Sequence, residues 1–168
     1  MTNGILRTIE GDVTNPQTSE TREIVIIPHC CNNLKIMGSG VALALKKKWP
    51  LVYQVYNKMS APSPHCLLGK VSYAKIDNHL VIANMIGQDG VVSSTNSKPI
   101  KYLALANAMR EVVGFIKMIK TQTVNPVVIH SCKFGSDLAG GNWDFILELI
   151  REIWLENGID VVIYEFVG

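Results

Sequence analysis

The chain has 168 residues, 48% of them hydrophobic and 18% charged, with a net charge of +2. That length fits a single domain spanning 1–168 with a sizeable core, and the balance is that of an ordinary globular chain. It excludes a general nucleic-acid binder, which carries a strongly basic footprint, and a helical membrane protein, because no apolar run is long enough to span a bilayer.

No charged-then-apolar leader opens at Met1, so a cytoplasmic location is expected. Cys30 and Cys31 are adjacent, and Cys66 and Cys132 stand alone. Such spacing gives neither a disulfide framework nor a CxxC metal motif, and buried free thiols are the expectation. From Ile24 through Ile76 there is no Asp or Glu, whereas seven lysines fall there. An anionic ligand meets a favourable field in such a segment, although Lys46 to Lys48, at a helix end, read as a solvated face.

In chain order, Ile5 to Ile9 alternates weakly and predicts a first strand, running into Gly11-Asp12-Val13-Thr14. Ile24 to Ile27 is a continuous β-branched run, the pattern of a strand buried on both faces, and it ends at Pro28. Gly38-Ser39-Gly40 opens a helix over Val41 to Lys48, and Pro50 starts another reaching about Met59. Lys70 to Ile76 and His79 to Ile86 predict two strands joined by a tight turn at Asp77-Asn78, and Gly90 to Ser97 a polar loop. The longest helical pattern follows Pro99, with Leu105, Met109, Val112, Val113 and Ile116 on one face. Val127 to His130 is a strand, Lys133 to Asn142 a glycine-rich loop, and Asn142 caps a helix whose core face is Ile146, Leu149, Ile150 and Ile153. Asn157-Gly158 ends it, and Ile159 to Phe166 is the last strand.

Strands and helices largely alternate, and the strands are apolar on both faces. A mixed sheet covered by helices on both sides is therefore expected, with ligands beyond the carboxyl ends of its strands. Two loops stand out there, Pro28 to Gly40 and Lys133 to Asn142. Glycines after a strand leave backbone N–H groups pointing outward, and the next helix adds its positive end, which suits phosphate. The dinucleotide fingerprint fails, because Gly38-Ser39-Gly40-Val41-Ala42-Leu43 lacks a third glycine and no carboxylate follows before Asp77. There is no Walker motif either.

The titratable groups at this rim are His29 and Asp137. One acid and one histidine suffice to place a water and protonate a leaving oxygen. Equally, His29 reads as a neutral ring packed beside backbone carbonyls, and Asp137 as a turn residue bonding its own backbone. Asn32 and Asn33 are either turn formers or amides facing a sugar, and His130 is a strand-end core residue.

Gly11-Asp12-Val13-Thr14, the block His29-Cys30-Cys31-Asn32 leading to Met37-Gly38-Ser39-Gly40-Val41-Ala42, and Phe134-Gly135-Ser136-Asp137 resemble the macrodomain family, which binds ADP-ribose. The likeness covers nearly the whole chain and is strongest to the branch of ADP-ribose 1''-phosphate phosphatases and terminal ADP-ribose glycohydrolases. It implies a three-layer α/β/α fold with a mixed, mostly parallel central sheet. It also implies that Asp12 accepts a hydrogen bond from the adenine amino group with Val13 alongside, and that Phe166 borders the adenine. Asn32 holds the distal ribose, and Gly38, Ser39, Gly40 and Val41 wrap that ribose and its terminal phosphate. Phe134, Gly135, Ser136, Asp137, Leu138, Ala139 and Gly140 cradle the diphosphate, while His29, Asn32 and Asp137 are the catalytic candidates.

Two departures are visible. The family's usual Asn-Ala-Ala-Asn is His-Cys-Cys-Asn here, and Gly87-Gln88 stands where lysine-nucleophile glycohydrolases carry their lysine, which removes that covalent route. The expected activity is hydrolysis of ADP-ribose 1''-phosphate to ADP-ribose and phosphate by a monomer needing no metal or cofactor. The alternatives are ADP-ribosyl hydrolysis from protein or nucleic acid, and a non-catalytic ADP-ribose-binding module.

Overall fold

The structure is a computed structural model and describes residues 2–19 and 21–167; Met1, Glu20 and Gly168 lie outside it. Six strands, β1 (Leu6–Glu10), β2 (Ile24–Asn32), β3 (Val71–Asp77), β4 (Leu80–Gln88), β5 (Val127–Ser131) and β6 (Asp160–Glu165), form one sheet in the order β1-β6-β5-β2-β4-β3. Every pairing is parallel except that of the edge strand β3 with β4. Four helices, α1 (Gly40–Lys48), α2 (Leu51–Asn57), α3 (Tyr102–Lys120) and α4 (Trp143–Leu149), cover both faces. No helix among the described residues is long and apolar enough to cross a membrane.

Strand alternation builds the three layers. In β2, Ile24 and Ile26 join the core beneath α3 and α4, while Val25 and Ile27 join the core beneath α1 and α2. The same split runs through β6, where Val161 and Ile163 face one layer and Val162 and Tyr164 the other. The buried face of α3 is the predicted one, Leu105, Met109, Val112, Val113 and Ile116. The Asn142 side chain caps α4 by accepting from Phe145 N–H at 3.1 Å. That helix continues through a wider turn over Ile150–Trp154 and a tighter one over Leu155–Asn157, and Gly158 closes it at φ 75°. The wide turn lets Trp154 Nε1–H reach Met109 O on α3 at 3.1 Å. Of the four thiols, Cys66 is exposed, contrary to expectation, because it sits on the short turn Pro64–Leu67.

The largest departure from the sequence expectation is β2, which runs on through Pro28 to Asn32. Proline is disfavoured inside a central strand because it removes a ladder hydrogen bond. Here the missing N–H costs no rung. Ile24 N–H donates to Pro126 O on the β5 side and Val25 N–H to His79 O on the β4 side. Alternation therefore turns Pro28 towards β5, where pairing already stops at Ile26 with Ile129. On the other edge β2 stays paired with β4 up to Asn32.

That continuation carries His29 into the core. Its ring is fully buried, with Nε2–H donating to Asn84 Oδ1 at 2.6 Å, and Asn84 in turn donates to Val52 O and Ser72 Oγ. Burial lowers the His29 pKa from 6.5 to about 4, against a smaller raising effect of the Asn84 bond. Between those values the unfolded chain binds the proton and the folded chain does not, so stability rises with pH across the window and is lost as pH falls through it. Denaturant unfolding at pH 7.5 and 4.5 should show the wild type losing about 2–3 kcal/mol more than His29→Leu does over the same interval. Equal losses in the two proteins would show that His29 is not the group responsible.

Candidate functional site

The site opens where β2 and β5 part. Downstream of β2 the chain passes to α1 and on to β4, while downstream of β5 it passes to α4 and on to β6, in the opposite direction. Such a reversal leaves a crevice at the carboxyl ends of the two strands. A cavity of about 720 Å³ fills it, reaching from Asp12, Tyr164 and Phe166 at the β1/β6 end to Asn32, Gln88 and Val92 at the β4 end.

One wall is the loop from β2 to α1. Asn32 folds this loop around its own amide: Oδ1 accepts from Leu34 N–H (3.0 Å), Ile36 N–H (3.2 Å) and Tyr56 O–H (2.9 Å), and Nδ2 donates to Ile36 O (2.8 Å). A single Nδ2 hydrogen is left for a ligand, so Asn32 is chiefly a builder of the wall. Asn33 is spent likewise, joining Asp89 Oδ1 and Gly90 N–H at 2.9 Å each and so anchoring the loop at 89–97. Gly38, Ser39, Gly40 and Val41 all line the cavity. The first N–H bonded within α1 is that of Leu43, to Ser39 O; Ser39 gives no side-chain cap and the first turn holds no acid. Among the described residues the amides of Gly40, Val41 and Ala42 meet no cap, and all three residues line the cavity at the positive end of the helix.

The opposite wall is the loop from β5 to α4. It is cinched by Gly140 N–H to Asp137 O (2.9 Å) and Gly141 N–H to Gly135 O (2.8 Å). Gly135 has φ 74°, and a Cβ on Gly141 would lie 2.2 Å from Gly135 O, so the cinch needs both glycines. Among the described residues the amides of 135–139 meet no acceptor. Gly135, Asp137, Leu138 and Ala139 line the cavity. Phe134 does too, but its buried ring packs on Trp143 and Trp154 and anchors the loop.

Three expected residues are not brought to the cavity. His29 lies within the sheet layer below it, held on Asn84. Ser136 turns back to donate to Lys133 O at 3.1 Å. Gly140 lies against the 97–98 backbone, where a Cβ would come within 3.0 Å of Ser97 O. No histidine is among the lining residues. Asp137 is exposed and lines the cavity, and so is Asp12, of which Oδ1 accepts from Thr14 N–H (2.9 Å) and Oγ1–H (2.8 Å), leaving Oδ2 open. Val13 is buried beside it, and Phe166, 74% exposed, closes that end.

Sequence reasoning missed the floor and one corner. Cys30, Cys31 and Cys132 lie beneath the two loops. Burial raises all three thiols, Cys30 to about 12 and Cys132 to about 11, so they are neutral, apolar flooring and not nucleophiles. Gln88 registers beside Asn32 at the end of β4, a position that pairing alone reveals. Lys133 pairs with Glu165 at 3.1 Å at the mouth. Among the described residues no group of three or more His, Cys, Asp or Glu side chains is arranged to hold a metal ion.

No protein-family model matches the chain. A curated ADP-ribose 1''-phosphate phosphatase from Scheffersomyces stipitis is 29% identical over 68 residues, 39% of this chain and 39% of that protein's length. A Bacteroides thetaiotaomicron protein of unknown function shares 31% identity and superposes with a TM-score of 0.81, covering 98% of this chain and 99% of that one. A macrodomain protein from Streptomyces coelicolor shares 27% identity, with a TM-score of 0.73 over 97% of this chain and 99% of its own. By this likeness over nearly the whole chain, the chain belongs to the macrodomain family.

Proposed function

We propose that the protein binds ADP-ribose 1''-phosphate and hydrolyses it to ADP-ribose and inorganic phosphate. The observation that carries this reading is the pair of amide-lined loops along one cavity. Three strand spacings separate β6 from β4, roughly 14 Å, the reach of a nucleoside diphosphate sugar laid across the strand ends. In that pose the adenine amino group meets Asp12 Oδ2, with Val13 and Phe166 alongside. The diphosphate rests on the amides of 135–139, and the distal ribose and its phosphate reach the N-terminus of α1, beside Asn32 and Gln88. The partial likeness to a curated phosphatase supports the choice of reaction.

In the reaction a water oxygen attacks phosphorus as the bond from phosphorus to the sugar oxygen breaks. Asp137 orients the water and takes its proton, and the leaving oxygen is protonated by solvent at the open mouth. Burial removes His29 from any direct part. Charge developing on the phosphoryl oxygens is met by preorganised amides, which need no reorganisation as the reaction proceeds. A second reading, release of ADP-ribose from a modified macromolecule, draws on the apolar rim, where Ile36 (50% exposed), Val92 (45%) and Leu138 (52%) surround the mouth.

Calorimetric titration should give saturable one-to-one binding of ADP-ribose, and phosphate should then be released from ADP-ribose 1''-phosphate. Absence of binding removes the whole reading. Binding without phosphate release passes the case to the macromolecular substrate or to a reader that does no chemistry. Asp137→Ala should lower phosphate release by about 10²–10⁴-fold while leaving ADP-ribose affinity within a few-fold of wild type. Undiminished release in that variant excludes Asp137 as the base.

A further inference from the structure

We propose that Glu23, His130 and Tyr164 form a buried relay that positions the purine end of the cavity and thereby sets its preference for the base. The proposal rests on the ADP-ribose reading above and goes beyond it, since none of the three side chains need touch the ligand's polar atoms.

All three are nearly or wholly buried. His130 Nε2 lies 2.8 Å from Glu23 Oε2, and Nδ1 lies 2.7 Å from the Tyr164 hydroxyl. The chain of bonds ends on one short segment at both extremities. Gln17 N–H donates to the Tyr164 oxygen at 2.8 Å, and Ser19 Oγ–H donates to Glu23 Oε1 at 3.2 Å. Proton counting fixes its direction. The Tyr164 oxygen accepts from Gln17, so its one hydrogen goes to His130, whose Nδ1 carries the lone pair. Nε2 then carries the imidazole hydrogen and gives it to the Glu23 carboxylate. The ring is neutral in this scheme, in keeping with burial as the dominant influence on it, opposed by Glu23 and assisted by Arg7. Each N–H and O–H in the chain then has one acceptor, and each carboxylate oxygen accepts one bond.

The segment so held, 11–19, carries Asp12 and Val13. Its start is fixed by Gly11 N–H to Glu165 O at 2.9 Å, and its middle by Lys48 Nζ on Thr14 O. The Tyr164 ring lies under Gly11, where a Cβ would come within 3.4 Å of Cδ2. Tyr164 thus ties the floor of the cavity to the far end of the loop that presents the carboxylate. Residues 130 and 164 fall on a sheet face where their neighbours include Val128, Val162 and Ile27. Aliphatic side chains would fill that layer without any polar group to satisfy. The polar set instead holds the far end of the β1–β2 connection, at Gln17 and Ser19.

Glu23 is the element that sets direction. A carboxylate can only accept, so it holds the hydrogen on Nε2; a leucine at this position offers no acceptor, which frees the imidazole hydrogen to move to Nδ1 and leaves Tyr164 with a hydrogen and no acceptor. Titration of the full chain with ADP-ribose and with its hypoxanthine counterpart, which carries an oxo group for the amino group, tests the idea. Wild type should prefer ADP-ribose by about tenfold or more, the worth of a hydrogen bond to a charged acceptor. Tyr164→Phe keeps the ring, and Glu23→Leu keeps the bulk without an acceptor; both should bring the two affinities to within about threefold. A wild type indifferent to the base, or folded variants that keep its full preference, overturns the proposal. NMR of the wild-type His130 ring needs no variant: a hydrogen on Nε2 is expected at pH 7, and one on Nδ1 overturns the relay. Failure to bind ADP-ribose at all would instead refute the ligand reading, leaving the ring measurement to judge the relay.

Discussion

The parting of β2 from β5 beyond Ile26 shapes the molecule. Parallel strands held along their whole length leave no room between their ends, and amides in a closed ladder are not available to a ligand. Beyond Ile26, β2 stays with β4 while β5 stays with β6, and Pro28, which has no donor to lose, faces the gap between them. The nearest link across the gap is Ser131 Oγ to Pro28 O, at 3.4 Å. Both strands then feed loops whose amides the sheet cannot satisfy. A ligand bearing anionic oxygens along its middle satisfies them in place of water, and with less reorganisation.

The polar groups near the cavity divide by what already holds them. Asn32, Asn33, His29 and Asn84 are engaged in building walls and floor. The groups left open are backbone amides, one oxygen of Asp12, and Asp137. The groups free to meet a ligand are thus mainly those of the main chain. Within His-Cys-Cys-Asn the terminal Asn32 makes the bonds that define the loop, His29 is held on Asn84, and the two cysteines pack as flooring.

The same division explains what the sequence disclosed. Strands came through as β-branched runs, and the two glycine loops as punctuation between strand and helix, because both are local patterns. Pro28 misled, since a proline ends a strand unless its nitrogen faces a gap, and which way it faces depends on pairing with β4 and β5. His29 misled for the same reason: two residues of additional strand turned it from the rim into the layer under α2. Ser136 and Gly140 belong to a correctly identified loop, yet which of its residues face inward follows from the cinch at Gly135 and Gly141. The Glu23–His130–Tyr164 set was out of reach, its members being 107 and 34 residues apart.

A carboxylate at an anion site needs a reason to be there. Held about 4 Å from a phosphate charge, Asp137 would oppose binding by about 1 kcal/mol in water and about 4 kcal/mol at the effective dielectric of a protein surface. The loop lessens that conflict in two ways. Asp137 is exposed, so solvent screens it, and its neighbouring amides offer positive poles on the cavity side. What remains of the repulsion favours a water between carboxylate and phosphorus over direct contact. That spacing is also the one a general base requires, so the arrangement that weakens a direct Asp137–phosphate contact is the one that suits the proposed hydrolysis.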